Sequence, residues 1–207
     1  MMIPNVLESE TVVASAARPL GDGFVRKLRG VHHLVFNTDD MKMTIDFYSG
    51  VLGMPLVGAI KVEEGVDRGN PRFPNIRHYF FDMGNDSMLA FFEIPKGAKP
   101  RGDRDAIGTM QHVSFVATPD VQLELKGRLE AHGYACDGPV RTSPGSQSIY
   151  FYDPNGIRLE ASTAPTQGDN QQIMANRRQT KAQARLELAT LCDDSEWIER
   201  VITAFRP

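Results

Sequence analysis

Residues 33–58 read HLVFNTDDMKMTIDFYSGVLGMPLVG, and residues 112–138 read HVSFVATPDVQLELKGRLEAHGYACDG. The second stretch repeats the plan of the first. Each opens His-x-x-Phe (His33 to Phe36, His112 to Phe115), breaks at polar residues, continues as an amphipathic segment and closes on a glycine, Gly53 or Gly133. A further glycine follows five residues on, Gly58 or Gly138, and Tyr79-Phe80-Phe81-Asp82 then answers Tyr150-Phe151-Tyr152-Asp153. Each of these aromatic runs precedes a turn and a strand bearing a glutamate, Glu93 or Glu160. Repetition of a whole supersecondary unit decides the architecture before any single motif does.

Working outward, residues 30–37 are a β-rich run whose alternation sets Val31, His33 and Val35 against His32, Leu34 and Phe36. Thr38, Asp39 or Asp40 supplies a helix cap, Met41, Ile45 and Phe47 or Tyr48 recur at helical spacing, and Gly50 and Gly53 end the helix. Met54 to Lys61 forms a second strand, and Arg77–Asp82 with Met88–Ile94 a hairpin. The loop between them, Glu63 to Asn75, is long enough to serve as a lid and reads equally as a solvated surface loop. The second unit follows with a strand over Met110–Ala117, a helix over Val121–His132, a short strand over Tyr134–Cys136 and a hairpin turning at Asp153-Pro154-Asn155-Gly156. The fold expected is α+β: two βαβββ modules related by pseudo-twofold symmetry, forming a curved mixed sheet around a metal site, with a C-terminal helical tail. The divisions are an N-terminal extension over 1–28, modules over 29–95 and 108–163, and a linker with helices over 164–207. In that tail Lys181–Leu191 and Ser195–Phe205 read as helices, the second striped by Trp197, Val201 and Phe205. The tail either caps the body or meets another subunit.

With 207 residues the chain can bury one sizeable core, and a formal net charge of −3 points to neither nucleic acid nor an anionic membrane as partner. No apolar run reaches the length of a membrane span, and Glu8 and Glu10 interrupt what a signal peptide would need. Cys136 and Cys192, outside any CxxC pair, read as free thiols in a reducing, cytoplasmic setting.

The repeat also places chemistry. Each module begins its first strand with a histidine and carries a glutamate in its last. If those strands are neighbours, pairing the modules brings His33, His112, Glu93 and Glu160 to one point. A lone strand histidine is more often a packing residue, but four matched positions in two units weigh towards a metal. Nitrogen and oxygen donors of this kind suit divalent Fe, Ni, Zn, Mn or Co.

The segments HLVFNTDDMKMTIDFYSGVLGM, QHVSF and SIYFYDPNGIRLE, within residues 30–162, resemble the vicinal oxygen chelate superfamily. Its members include glyoxalase I, type I extradiol dioxygenases, methylmalonyl-CoA epimerase, fosfomycin-resistance enzymes and bleomycin-binding proteins. The resemblance implies His33, His112 and Glu160 as metal ligands, Glu93 as a fourth, and a substrate that chelates the ion through two adjacent oxygens. The implied activity is that of a glyoxalase-like lyase or isomerase, with Glu93 or Glu160 moving a proton beside a chelated carbonyl. Tyr150 joins them as a catalytic candidate, with Arg158 and Tyr152 contacting substrate. The alternatives are an Fe(II) extradiol-type dioxygenase, which would use three protein ligands, and a bleomycin-resistance-type binding protein without catalysis. The segment Arg141 to Gly145 lacks the histidine that extradiol enzymes carry there. The residues flanking Leu52 and Glu93 lack the arginine and asparagine that glyoxalase I uses for glutathione. His32 is the near competitor to His33 but by alternation faces the helix side, and His78 and His132 are read as structural. The partners implied are a small-molecule substrate and, left open, a second copy of the chain as a homodimer.

Overall fold

The structure, a computed structural model, describes residues 30–61, 73, 76–143, 145–163 and 177–205. Gly30–Asn176 forms one compact unit, and the segment from Arg177 onward belongs to another. In the first unit β1 (His33–Thr38), α1 (Met41–Ile45) with a π-helical run (Asp46–Val51), β2 (Leu56–Lys61), β3 (Arg77–Asp82) and β4 (Met88–Glu93) make the first module. β5 (Val113–Ala117), α2 (Pro119–Ala131), β6 (Cys136–Ser143), β7 (Ser146–Tyr152) and β8 (Arg158–Thr163) make the second. The sheets have matching orders, β1-β4-β3-β2 and β5-β8-β7-β6. First and last strands are parallel neighbours in both, as the repeat requires. The loop Glu63 to Asn75, a lid or a solvated surface loop by sequence, lies outside the described residues apart from Phe73.

Local chemistry fixes the helix starts. The Asp40 carboxylate accepts from the Met43 amide at 3.0 Å, which selects Asp40 among the three candidate caps. Thr118 caps α2 with Pro119 following it, where a missing N–H costs nothing. β6 runs far beyond the Tyr134–Cys136 expected from sequence. Gly138 and Pro139 look like breakers, yet β6 is an edge strand whose register shifts across them, between Asp137 and Val140, a position that tolerates proline. Gly138 takes φ +100°, and a Cβ there would meet the Ser148 carbonyl oxygen at 2.6 Å. Only glycine lets β6 lie this close to β7.

One face of each sheet packs into a shared core. Phe47, Tyr48, Phe81, Leu89 and Phe91 of the first module join Leu129, Ile149, Phe151 and Leu159 of the second, all fully or almost fully buried. The Phe47 ring bridges them, 4.8 Å from that of Tyr134 and 6.5 Å from that of Phe151. Polar bonds add register. The Tyr48 hydroxyl donates to Asp153 at 3.2 Å, and Thr38 donates to Asn155 at 2.7 Å, so the Asp-Pro-Asn-Gly turn of one module is seated on the helix and first strand of the other. Arg128 of α2 donates to the carbonyl oxygens of Gly50 and Val51 at 2.7 and 2.9 Å.

The second unit contains α3 (Lys181–Leu188) and α4 (Ser195–Ala204). They close on Ala184, Ile198 and Ile202, with Trp197 and Phe205 against that cluster. The buried stripe is therefore one residue round from the Trp197-Val201-Phe205 line expected. Arg185 and Glu199 join the two helices at 2.7 and 2.9 Å. Cys136 and Cys192 are free thiols.

Candidate metal centre

The helix side of each sheet is core, and the candidate residues other than Glu93 lie on the opposite face. Strand alternation and pairing put His112, Ser114, Ser148, Tyr150, Arg158, Glu160 and Ser162 on that face in the second module. Ser114 and Tyr150 both pair with Glu160, one from each neighbouring strand. The His112 Nε2 lies 3.0 Å from a Glu160 oxygen. On its other side the ring bonds through Nδ1 to the side-chain oxygen of Gln111. With Nδ1–H given to Gln111, a neutral imidazole turns its lone pair at a carboxylate oxygen. In the other tautomer the Nε2–H donates to the carboxylate as an ordinary hydrogen bond; in this one the pair offers two donor atoms of the kind a divalent ion takes.

Glu160 is buried at 7 % exposure. Burial alone would raise its pKa, but hydrogen bonds from Ser148, Ser114 and Tyr150 and the charge of His112 more than offset this and hold the carboxyl below its usual range. Tyr150 moves the opposite way. Burial, then its bond to Glu160, raises the phenol above its ordinary value, so it stays a proton donor. The Arg158 guanidinium stacks over the Tyr150 ring, 4.5 Å from its centre. α2 steadies this strand from behind: fully buried Gln122 donates to the carbonyls of Ala161 and Gln147 at 2.8 and 3.1 Å.

The first module differs. His33 begins β1 on the corresponding face, with Val35, His78, Phe80, Ala90 and Phe92. Its Nδ1 meets the His32 Nδ1 at 2.7 Å, and its ring lies 6.0 Å from His78 and 6.1 Å from Phe80. His78 itself stacks on Phe92 with ring centres 4.1 Å apart. Glu93 does not join His33. The register pairs His33 with Met88 and Thr38 with Glu93, five residues away along β1. That is about 17 Å of strand, and the odd offset puts Glu93 on the core side. There its carboxylate accepts from the Tyr79 hydroxyl at 2.9 Å. The position matching Glu160 is Ala90, since Val35 pairs with Ala90 as Ser114 pairs with Glu160. The aromatic runs correspond one residue off the alignment expected, Phe80 with Tyr150.

Thus the chain brings His112, Glu160, Tyr150 and Arg158 together and leaves His33 and Glu93 elsewhere. Among the described residues no group of three or more His, Cys, Asp or Glu side chains stands ready to hold one ion. The four expected ligands therefore do not converge within one chain: the register of β4 carries Glu93 to the core side, bonded to Tyr79. Tyr152 pairs directly with Arg158 on the same face, and its hydroxyl bonds to Arg104. Sequence reasoning missed Ser114 and Ser148 as supports of Glu160, although the alternation that faces Tyr150 inward faces Ser148 with it. His132 bonds through Nδ1 to the Arg128 carbonyl at the end of α2, a structural role.

Residues 30–161 match the Glyoxalase/Bleomycin resistance protein/Dioxygenase superfamily. The chain belongs to this superfamily. Metallothiol transferase FosB of Lysinibacillus sphaericus (strain C3-41) is 28% identical over 141 residues, 68% of this chain and 86% of FosB. MhqA of Bacillus subtilis (strain 168), which bears the name of a ring-cleaving dioxygenase, is 28% identical over 136 residues. That alignment takes in 64% of this chain and only 40% of MhqA. The glyoxylase/bleomycin resistance protein/dioxygenase domain from Frankia sp. EAN1pec superposes with a TM-score of 0.54 at 20% identity, over 66% of this chain and 98% of that one. The last likeness is one of fold. The family carries enzymes on this scaffold without selecting a reaction. No helix among the described residues is long and apolar enough to cross a membrane.

Proposed function

We propose that the protein is a metal-dependent enzyme of polar chemistry, a glyoxalase-like lyase or isomerase, whose small substrate offers two adjacent oxygens. The observation that carries this reading is the approach of His112 Nε2 to Glu160 at 3.0 Å, on a sheet face where Tyr150 and Arg158 converge. His112 and Glu160 would hold a divalent ion, and its chemistry when bound is that of a Lewis acid for developing negative charge. Ser148 and Ser114 keep the Glu160 carboxylate ionised and oriented. Tyr150, protonated, turns its single O–H from Glu160 to a substrate oxygen as that oxygen gains charge, and Arg158 takes a negative substituent. Glu93, tied to Tyr79, falls outside the reaction, so Glu160 is the one carboxylate available at the pair to accept a proton.

His33 completes the ligand set from a second copy of the chain. What supports this is the surface beside the site: Val35, Ile60, Val116, Val140 and Tyr152 all lie on the second sheet faces and are substantially exposed. A homodimer pairing the first module of one copy with the second module of the other covers them and brings an imidazole to His112 and Glu160. The setting proposed is the cytoplasm, in keeping with two free cysteines.

A second reading, an Fe(II) extradiol-type dioxygenase, is favoured by the loss of Glu93 from the ligand set. Two histidines and one carboxylate leave room for a bidentate substrate and O2, and MhqA supports the same direction. Metal analysis of anaerobically purified protein, with a 2-oxoaldehyde assay and O2 uptake on catechols, separates the readings. Zn, Ni or Co with proton exchange supports the lyase, and Fe with O2 uptake supports the oxygenase. Protein that holds no metal and turns over neither substrate sinks both and leaves a bleomycin-resistance-type binding protein.

A further inference from the structure

The linker between the modules builds a second binding element. Residues 99–104, the end of β1 and residues 155–158 wall a cleft of about 610 Å³. Lys99, Arg101, Arg104 and Arg158 line it against two carboxylates, Asp39 and Asp103, in a chain whose formal net charge is −3. Both carboxylates are engaged with backbone: Asp39 accepts from the Gly97 amide at 2.8 Å and Asp103 from the Asp105 amide at 2.9 Å. Arg101 acts as a strap. It donates to the Pro154 carbonyl at 2.7 Å and lies across Gly156, where a Cβ would meet its guanidinium at 3.2 Å.

The other cations are differently placed. Arg104 bonds to the Tyr152 hydroxyl, with its guanidinium carbon 5.6 Å from that ring and Asp105 3.4 Å away on the exposed side. Arg158 stacks on Tyr150, a contact that orients a guanidinium without neutralising it. No ion pair among the described residues involves Lys99 or Arg158. Phe36, Ile94 and Met110 supply apolar wall, which strengthens the field of the cations inside. Arg158 also stands two residues from Glu160 on the same strand face, about 7 Å away at ~3.3 Å per residue. Met110 likewise stands two residues from His112, so the cleft wall adjoins the His112–Glu160 pair in sequence at both residues.

We propose that this cleft binds an anionic group, a carboxylate or phosphate, carried by the substrate whose other end reaches His112 and Glu160. Lys99, Arg104 and Arg158 are its ligands, and Arg101 holds the linker in place around it. The substrate is then an organic acid or phosphorylated compound, with the linker setting its specificity. The placement of the substrate's far end rests on the function proposed above, but the anion site itself does not.

Calorimetric titration of the full-length protein, stripped of metal with EDTA and dialysed, tests this with inorganic phosphate and with malonate. At least one probe is expected to bind with a Kd of about 1 mM or tighter. The same affinity is expected in His112→Ala, and a loss of at least tenfold in the Lys99→Met/Arg104→Met double variant. Arg158→Lys, which keeps the charge and loses the planar fork, is expected to fall between. The probe that binds more tightly identifies phosphate or carboxylate as the group. Equal binding by wild type and the double variant, or no binding of either probe, overturns the proposal. Failure to hold metal would strike the catalytic reading alone, since the titration is made without it.

Discussion

The first and second modules share strand order, pairing and the opening histidine, yet their faces away from the core have opposite characters. One presents His33, Val35, His78, Phe80, Ala90 and Phe92; the other, at the same register positions, His112, Ser114, Ser148, Tyr150, Glu160 and Ser162. On the core faces the duplication stays apolar: Leu89 matches Leu159, Phe81 matches Phe151, and Phe91 matches Ala161. Close packing punishes change on the core face by several kcal/mol. The opposite face is largely buried too, at His78, Ala90 and Phe92 in one module and Ser148 and Glu160 in the other, yet there aromatic rings stand against hydroxyls and a carboxylate. The lesson is that the fold is twofold and the site is not.

The largest effect tests the shared half of that comparison. Phe81→Ala and Phe151→Ala should each cost about 3–5 kcal/mol in urea unfolding, with one transition for residues 30–163. Two separate transitions would break the idea of a common core. Next, Glu160→Gln should lower metal affinity by about a hundredfold, or ~2.7 kcal/mol, while Glu93→Gln leaves metal content unchanged. Metal lost from Glu93→Gln and retained by Glu160→Gln would reverse the assignment of the two modules. Tyr48→Phe removes the cross-module bond to Asp153 and should cost about 1 kcal/mol, measured by thermal and chemical unfolding.

The smallest effect is a slope with pH. Burial raises the Asp153 pKa above 3.8, opposed by bonds from Asn155, Ile157 and Tyr48. An acid with a raised folded pKa favours the folded state while protonated. That contribution is complete below the unfolded value and is lost as pH rises through the folded one. The stability of wild type relative to Asp153→Asn should therefore decline from pH 3.8 upward and level off once Asp153 is ionised. A difference that grows over that window would show Asp153 to be a net stabiliser as an anion.

Much of the fold can be read along the chain. Apolar period, the Asp40 and Thr118 caps and the Asp-Pro-Asn-Gly turn locate most elements, and the duplication gives the parallel pairing of first and last strands. The phase of β4 cannot be read in this way. Leu89, Ala90, Phe91 and Phe92 are all buried, so the run has no alternation from which to tell its faces, and a slip of a few residues made Glu93 look like the counterpart of Glu160. β6 was hidden for a different reason: Gly138 and Pro139 are local breakers that an edge strand absorbs.

What the residues determine alone is the duplicated βαβββ plan and the meeting of His112 with Glu160, because both follow from alternation and from neighbouring strands within one unit. Only the tertiary structure decided that Glu93 turns away to Tyr79, that Ala90 occupies the matching position, and that linker cations border the site. Register, and the packing of one module on another, depend on contacts between residues far apart in the chain, which no local pattern encodes.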